Sequence, residues 1–144
     1  MKKLILFLAI VSAIACKKDS ADEDVTKYNW VLNTATVSPA ITINGKTSTD
    51  YKNILGEHSC YASNYTINFL ENGLFTISST GALCDMIPNS DQFKWTRDGN
   101  ELTLNYGNLS ETFTLNGNTM AQVKQINYQG TNHSLTLKFS ASKK

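Results

Sequence analysis

From residue 61 onward the chain alternates apolar and polar positions in short runs broken by glycine turns. Tyr61, Tyr65, Ile67 and Phe69 take odd positions, with Asn64, Thr66 and Asn68 between them. Phe75 and Ile77, then Phe93 and Trp95, continue the alternation. Leu102, Leu104 and Tyr106 repeat it, as do Leu109, Phe113 and Leu115, and then Leu135, Leu137 and Phe139. A period of two places one face of each run inside and one in water, which is the mark of a half-buried strand. Between the runs stand Glu71-Asn72-Gly73, Asp98-Gly99, Gly107-Asn108, Asn116-Gly117 and Gly130. Glycine adopts positive φ freely, so such pairs favour tight hairpins.

Two stretches are less regular. Residues 27–49 hold Trp30-Val31-Leu32 and Ile41-Thr42-Ile43, but no single parity unites them. In the run from 119 to 128, Met120, Val123, Ile126 and Tyr128 also disagree in parity, so a bulge is expected there. No window of ten or more residues past the N-terminal segment carries a helical stripe. The fold class expected is all-β, an antiparallel up-and-down meander of about eight strands closed into a barrel, since closure removes open edges. A two-sheet sandwich is the competing architecture.

The N-terminus changes the picture from fold to address. Lys2 and Lys3 precede an apolar run from Leu4 to Val11, too short for a membrane span, which needs roughly 20 residues. Small residues follow and end on Cys16. This is a secretory signal pattern, and Ser12-Ala13-Ile14-Ala15-Cys16 resembles a bacterial lipobox, with Ala13 where Leu is more usual. The resemblance implies a lipid on Cys16, which would be the partner contact with the membrane. Residues 17–26 (KKDSADEDVT) are polar and charged, the composition of a solvated tether. The domain organisation expected is therefore a signal peptide at 1–15, a lipidated cysteine and tether at 16–26, and one β-barrel domain at 27–144. The basic pair followed by Asp19, Asp22, Glu23 and Asp24 resembles the surface-export signal of Bacteroidetes lipoproteins. That implies an outer-membrane lipoprotein displayed at the cell surface.

Composition narrows the function classes. The full chain carries +1, and loss of Lys2 and Lys3 with the signal brings it near neutrality. No basic patch speaks for nucleic acid. There is no phosphate loop or calcium loop, and no nucleophile, base and orienting group share a spacing that suggests convergence. No enzyme activity and no cofactor are expected, and the domain is expected to be monomeric.

Once Cys16 is lipidated, Cys60 and Cys84 remain, an even number in an oxidising compartment. A bridge between them would constrain the unfolded chain by on the order of 3 kcal/mol. His58, Cys60, Cys84 and Asp85 offer a zinc set instead, but without the C-x-x-C spacing of a strong metal motif. The disulfide reading is preferred, with no metal.

Trp30, the pair Cys60 and Cys84, Phe69-Leu70-Glu71-Asn72-Gly73-Leu74-Phe75, and Gly99-Asn100-Glu101-Leu102-Thr103-Leu104 together resemble the lipocalin-like domain of Bacteroidetes lipoproteins, a calycin-type barrel. Lipocalins proper carry Gly where this chain has Tyr28, two residues before the tryptophan. The resemblance implies the barrel more than an activity. On the inferred inner face stand Tyr65, Phe69, Phe75, Phe93, Trp95, Tyr106, Phe113 and Phe139. Aromatics lining a barrel mouth suit a small apolar ligand, though a barrel this narrow also fills with its own side chains. Tyr28, Tyr51, Tyr61 and Tyr128 are expected outside. The function expected is a lipid-anchored binding module for a small apolar molecule or a glycan. The alternative is an interaction or protease-inhibitor scaffold acting through loops 45–59 and 79–91.

Overall fold

A computed structural model describes residues 24–57, 59–62, 64–80 and 93–144. The fold class expected from the alternation is present: an all-antiparallel sheet nearly closed into a barrel. Its strands are β1 (Tyr28–Ile43), β2 (Lys46–Asp50), β3 (Thr66–Phe69), β4 (Phe75–Ser78), β5 (Lys94–Asp98), β6 (Glu101–Tyr106), β7 (Leu109–Asn116), β8 (Thr119–Tyr128) and β9 (Thr131–Lys143). Eight of them run in the order β4-β3-β1-β9-β8-β7-β6-β5, and β2 pairs β1 as a side hairpin. The ring closes where Leu74 bridges Lys94, with the Phe75 amide donating to Phe93 O at 3.0 Å and the Trp95 amide to Gly73 O at 2.9 Å.

The irregular parity of β1 has a local cause. Trp30 and Leu32 point inward on even positions, whereas Ala35, Val37 and Ile41 do so on odd ones. The register with β9 shifts between Leu32 and Thr34, so a bulge at Asn33 moves the buried face by one residue. Strand β8 holds no such bulge. It pairs β9 in one unbroken register from Thr119–Ser140 to Tyr128–Thr131. Its inner face carries Met120 and Gln122, and Val123 is 64% exposed on the outer face. The mixed parity of its apolar residues therefore reflects an outward valine and inward polar residues.

Other expectations shift at element ends. The alternation from Tyr61 to Phe69 forms a strand only from Thr66. Asn64 has φ of 42° and breaks the extended run, while Cys60–Ala62 forms a 3-10 turn. A single helical turn, α1 (Tyr51–Ile54), follows β2, capped by the Asp50 carboxylate, which accepts from the Asn53 amide at 3.1 Å. Four residues are too few to register as a stripe. Asn44 and Gly45, with φ of 51° and 76°, make the tight turn between β1 and β2.

The folded unit also starts before residue 27. Asp24 caps a 3-10 turn over Val25–Lys27, and Val25 is only 2% exposed. Its carbonyl accepts from Trp30 Nε1 at 3.1 Å. The last residues of the expected tether are thus part of the core. Trp30 is wholly buried beside it. Lys144 Nζ donates to the carbonyls of Thr26 and Phe69. The start of the described chain, the turns after β3, β5 and β7, and the chain end all fall at this end of the barrel.

Candidate functional site

The eight inner-face aromatics pack on one another. Phe75 stacks on Phe93 with centroids 5.3 Å apart, and Phe113 meets Phe139 edge-on at 5.8 Å. Phe69 meets Trp95 edge-on at 5.3 Å. Phe69, Phe75, Phe113 and Phe139 are at most 2% exposed, and Phe93 is 6%. A ligand-sized void beside these rings would leave them accessible surface. They have almost none, so this part of the interior is filled by side chains. The expectation that these five rings line an apolar ligand cavity is corrected accordingly: the narrow barrel buries them against their neighbours. Trp95 is partly buried at the ring closure, where its Nε1 donates to Leu70 O at 3.1 Å.

The other two, Tyr65 and Tyr106, pack on this cluster, Tyr106 on Phe75 and Phe93 at 6.2 and 5.7 Å and Tyr65 on Phe139, but each also meets polar groups on its other side. The β7–β8 ladder runs only from Asn116–Thr119 to Thr114–Ala121. Beyond it the strands part, although β6–β7 and β8–β9 stay paired along their lengths. Glu111 on β7 and Lys124 on β8 lie on the inner-facing parity and reach across the parting, with Lys124 Nζ 3.0 Å from Glu111 Oε1. The Tyr106 phenol interacts with the Glu111 carboxylate, and Tyr61 with Lys124.

The segment between β2 and β3 lays further tyrosines over this end. Tyr51 from α1 lies 6.0 Å from Tyr61, Tyr61 lies 5.4 Å from Tyr65, and Tyr65 lies 6.0 Å from Phe139. Tyr28, Tyr51 and Tyr61, expected outside, are partly buried against the core. Asp50 holds α1 in place, so the cap of a single turn positions Tyr51.

Electrostatics follow burial. Desolvation, with the Tyr61 and Glu111 charges, pushes the Tyr65 phenol well above its usual range. Tyr106 rises for the same first cause, with Glu111 adding its charge and hydrogen bond. Tyr51 is raised mainly by burial. At Lys124 burial pulls the ammonium down, but Tyr61 and Glu111 together outweigh it, and the net shift is upward. Around neutral pH Tyr51, Tyr65 and Tyr106 are therefore protonated phenols beside one closed ion pair. Such a surface offers hydroxyl donors and acceptors beside ring faces.

Deeper on the same face of β8, Gln122 is 5% exposed, and its Oε1 has no hydrogen-bond partner among the described residues. Neither Gln122, Lys124 nor Glu111 was expected at a site. The signal was present, because all three take inward parity on their strands, but a search for apolar alternation passes over them.

The remaining candidates are dispersed. His58, Cys84 and Asp85 lie outside the described residues, as does Cys16. Cys60 is disulfide-bonded. His133 is 5% exposed on β9, with Nδ1 2.8 Å from Pro39 O. A shallow outer cleft between the β1 bulge and α1 is lined by polar residues including Thr34, Thr36 and Asp50. Its Lys52 ammonium donates to Leu32 O. No family model, curated protein or solved structure matches the chain.

Proposed function

We propose that the chain is a lipid-anchored cell-envelope binding module whose ligand is a small polar ring compound of the glycan type. The ligand seats at the open end, among Tyr51, Tyr61, Tyr65 and Tyr106. One observation carries this reading: the open end combines partly buried tyrosine rings with a hydrogen-bonded ion pair, while the phenylalanine interior is filled. Ring faces favour the apolar faces of a sugar, and the phenols, Glu111 and Lys124 match its hydroxyls. A fatty-acid-like ligand would need the space that Phe69, Phe75, Phe113 and Phe139 occupy.

The anchor belongs to the same proposal. Cys16 carries the lipid, residues 17–23 hold the domain off the bilayer, and the location is the outer membrane with display at the cell surface. Two or more acyl chains would make that attachment stable. The nearly closed antiparallel barrel supports kinship with the lipocalin-like lipoproteins of Bacteroidetes. We take the partner of Cys60 to be Cys84.

Native mass spectrometry of the full chain, mixed in turn with neutral oligosaccharides and with long-chain fatty acids, tests the ligand class. Retained sugar adducts that weaken in Tyr61→Ala support the proposal. Fatty-acid adducts without sugar adducts overturn it.

A further inference from the structure

Gln122 is an anomaly in this fold. A buried amide oxygen without a donor costs about what a lost hydrogen bond does, and folded proteins seldom leave one so. Here it sits on the inner face of β8, between Met120 and the ion-paired Lys124, level with Leu137 on β9. It also lies where β7 and β8 have parted. Carried past Thr114–Ala121, the same register would set Phe113 opposite Gln122 and Glu111 opposite Lys124. No ladder joins them there, so no main-chain hydrogen bonds hold β7 to β8 beside Gln122, and a small separation of the two strands would uncover it.

We propose that Gln122 Oε1 is the inner acceptor of the ligand site, taking a hydroxyl hydrogen from a neutral sugar ring that enters where β7 and β8 part. The inference rests on the binding reading above and deepens it by naming the specificity-determining group. The chemistry is directional. The free Gln122 atom is an acceptor, so it selects a ligand with a donor at its leading edge. A carboxylate or phosphate would set negative oxygen against negative oxygen and be rejected. Lys124 does not offset this, because its charge is already closed on Glu111. The tyrosines would hold the ring, and Gln122 would decide which hydroxyl it must carry. Specificity of this kind is strong, because an analogue lacking the donor leaves the buried acceptor unmatched.

The test uses the full chain in detergent, with the methyl glycosides of the common neutral hexoses and their monodeoxy derivatives, affinities being measured calorimetrically. Gln122→Met keeps the shape and removes the acceptor. The variant should fold with unchanged or higher melting temperature, since an unmatched polar group is gone. It should bind the preferred glycoside roughly tenfold more weakly, about the value of one hydrogen bond. One monodeoxy derivative should show the same loss on the natural chain and none on the variant. If glycosides bind and Tyr61→Ala weakens them while Gln122→Met does not, the role of Gln122 is overturned and the binding reading stands. If no glycoside binds the natural chain, both are overturned. If Gln122→Met unfolds the protein, Gln122→Glu replaces it: its carboxylate is still an acceptor, so glycoside binding kept above the variant's own titration supports the acceptor role, and binding lost there overturns it.

Discussion

Single residues carry the contrast between the two ends of the barrel. Trp30 and Tyr65 are both aromatic and both inward, yet Trp30 has its indole N–H matched by Val25 O, and Tyr65 sits among phenols and charges. The sign of the pH dependence follows. A phenol raised above its ordinary 10.0 favours the neutral form, so its contribution to stability is intact below pH 10 and is lost as pH rises through the shifted value. Lys124, also raised, loses its contribution over the same alkaline side. Tyr65 and Tyr106 should therefore ionise well above the ordinary tyrosine range, and Tyr65→Phe should remove one late step from a tyrosinate absorbance titration. A titration from which Tyr65→Phe removes no late step would contradict the burial described. The Glu111–Lys124 pair retains about a quarter to a third of its side-chain exposure. A double-mutant cycle with Glu111→Gln and Lys124→Met should give a coupling of about 0.5–1 kcal/mol by urea unfolding. These two residues and Gln122 were legible only as polar side chains at inward positions. Alternation marks which way a residue points, not what it does there.

At the scale of elements, the hairpins were readable because glycine and asparagine mark their turns, as at Asn44-Gly45 and Asn116-Gly117. The β1 bulge was not, because an extra residue erases the parity that reveals a strand. Deleting Asn33 should bring Trp30, Leu32, Ala35 and Val37 onto one parity, so that β1 pairs β9 without a bulge and thermal unfolding stays cooperative; loss of cooperative unfolding would remove the bulge from the account of β1. The start of the domain was hidden for another reason. Val25 follows a run of charges, and one apolar residue cannot show that it turns back onto a core. Val25→Ala should cost about 2 kcal/mol, from lost burial and the cavity left behind. Asp24→Ala should cost about 1 kcal/mol as a lost cap. At Asp24 the Thr26 hydroxyl is the first cause that lowers the carboxyl below 3.8. Its contribution is present above that value and lost as pH falls through the shifted one. A chain cut to begin at Tyr28 that melted like the natural one would show that this turn contributes nothing.

At the scale of the whole molecule, the barrel carries the ends of the described chain at one end and is parted at the other between β7 and β8. The alternation sufficed to anticipate a closed antiparallel meander, since each strand pairs its sequence neighbour from β5 to β9. It could not say whether eight inward aromatics leave a cavity, because that depends on side-chain volume against barrel radius. Fluorine NMR of the chain labelled at tyrosine and phenylalanine, titrated in parallel with a neutral methyl glycoside and with laurate, separates the two ends directly. A filled interior with a binding site at the open end requires the glycoside to shift the Tyr61, Tyr65 and Tyr106 signals, and laurate to leave Phe69, Phe75, Phe93, Phe113 and Phe139 unmoved. Laurate shifting the phenylalanine set, with the tyrosines silent to the glycoside, would contradict it.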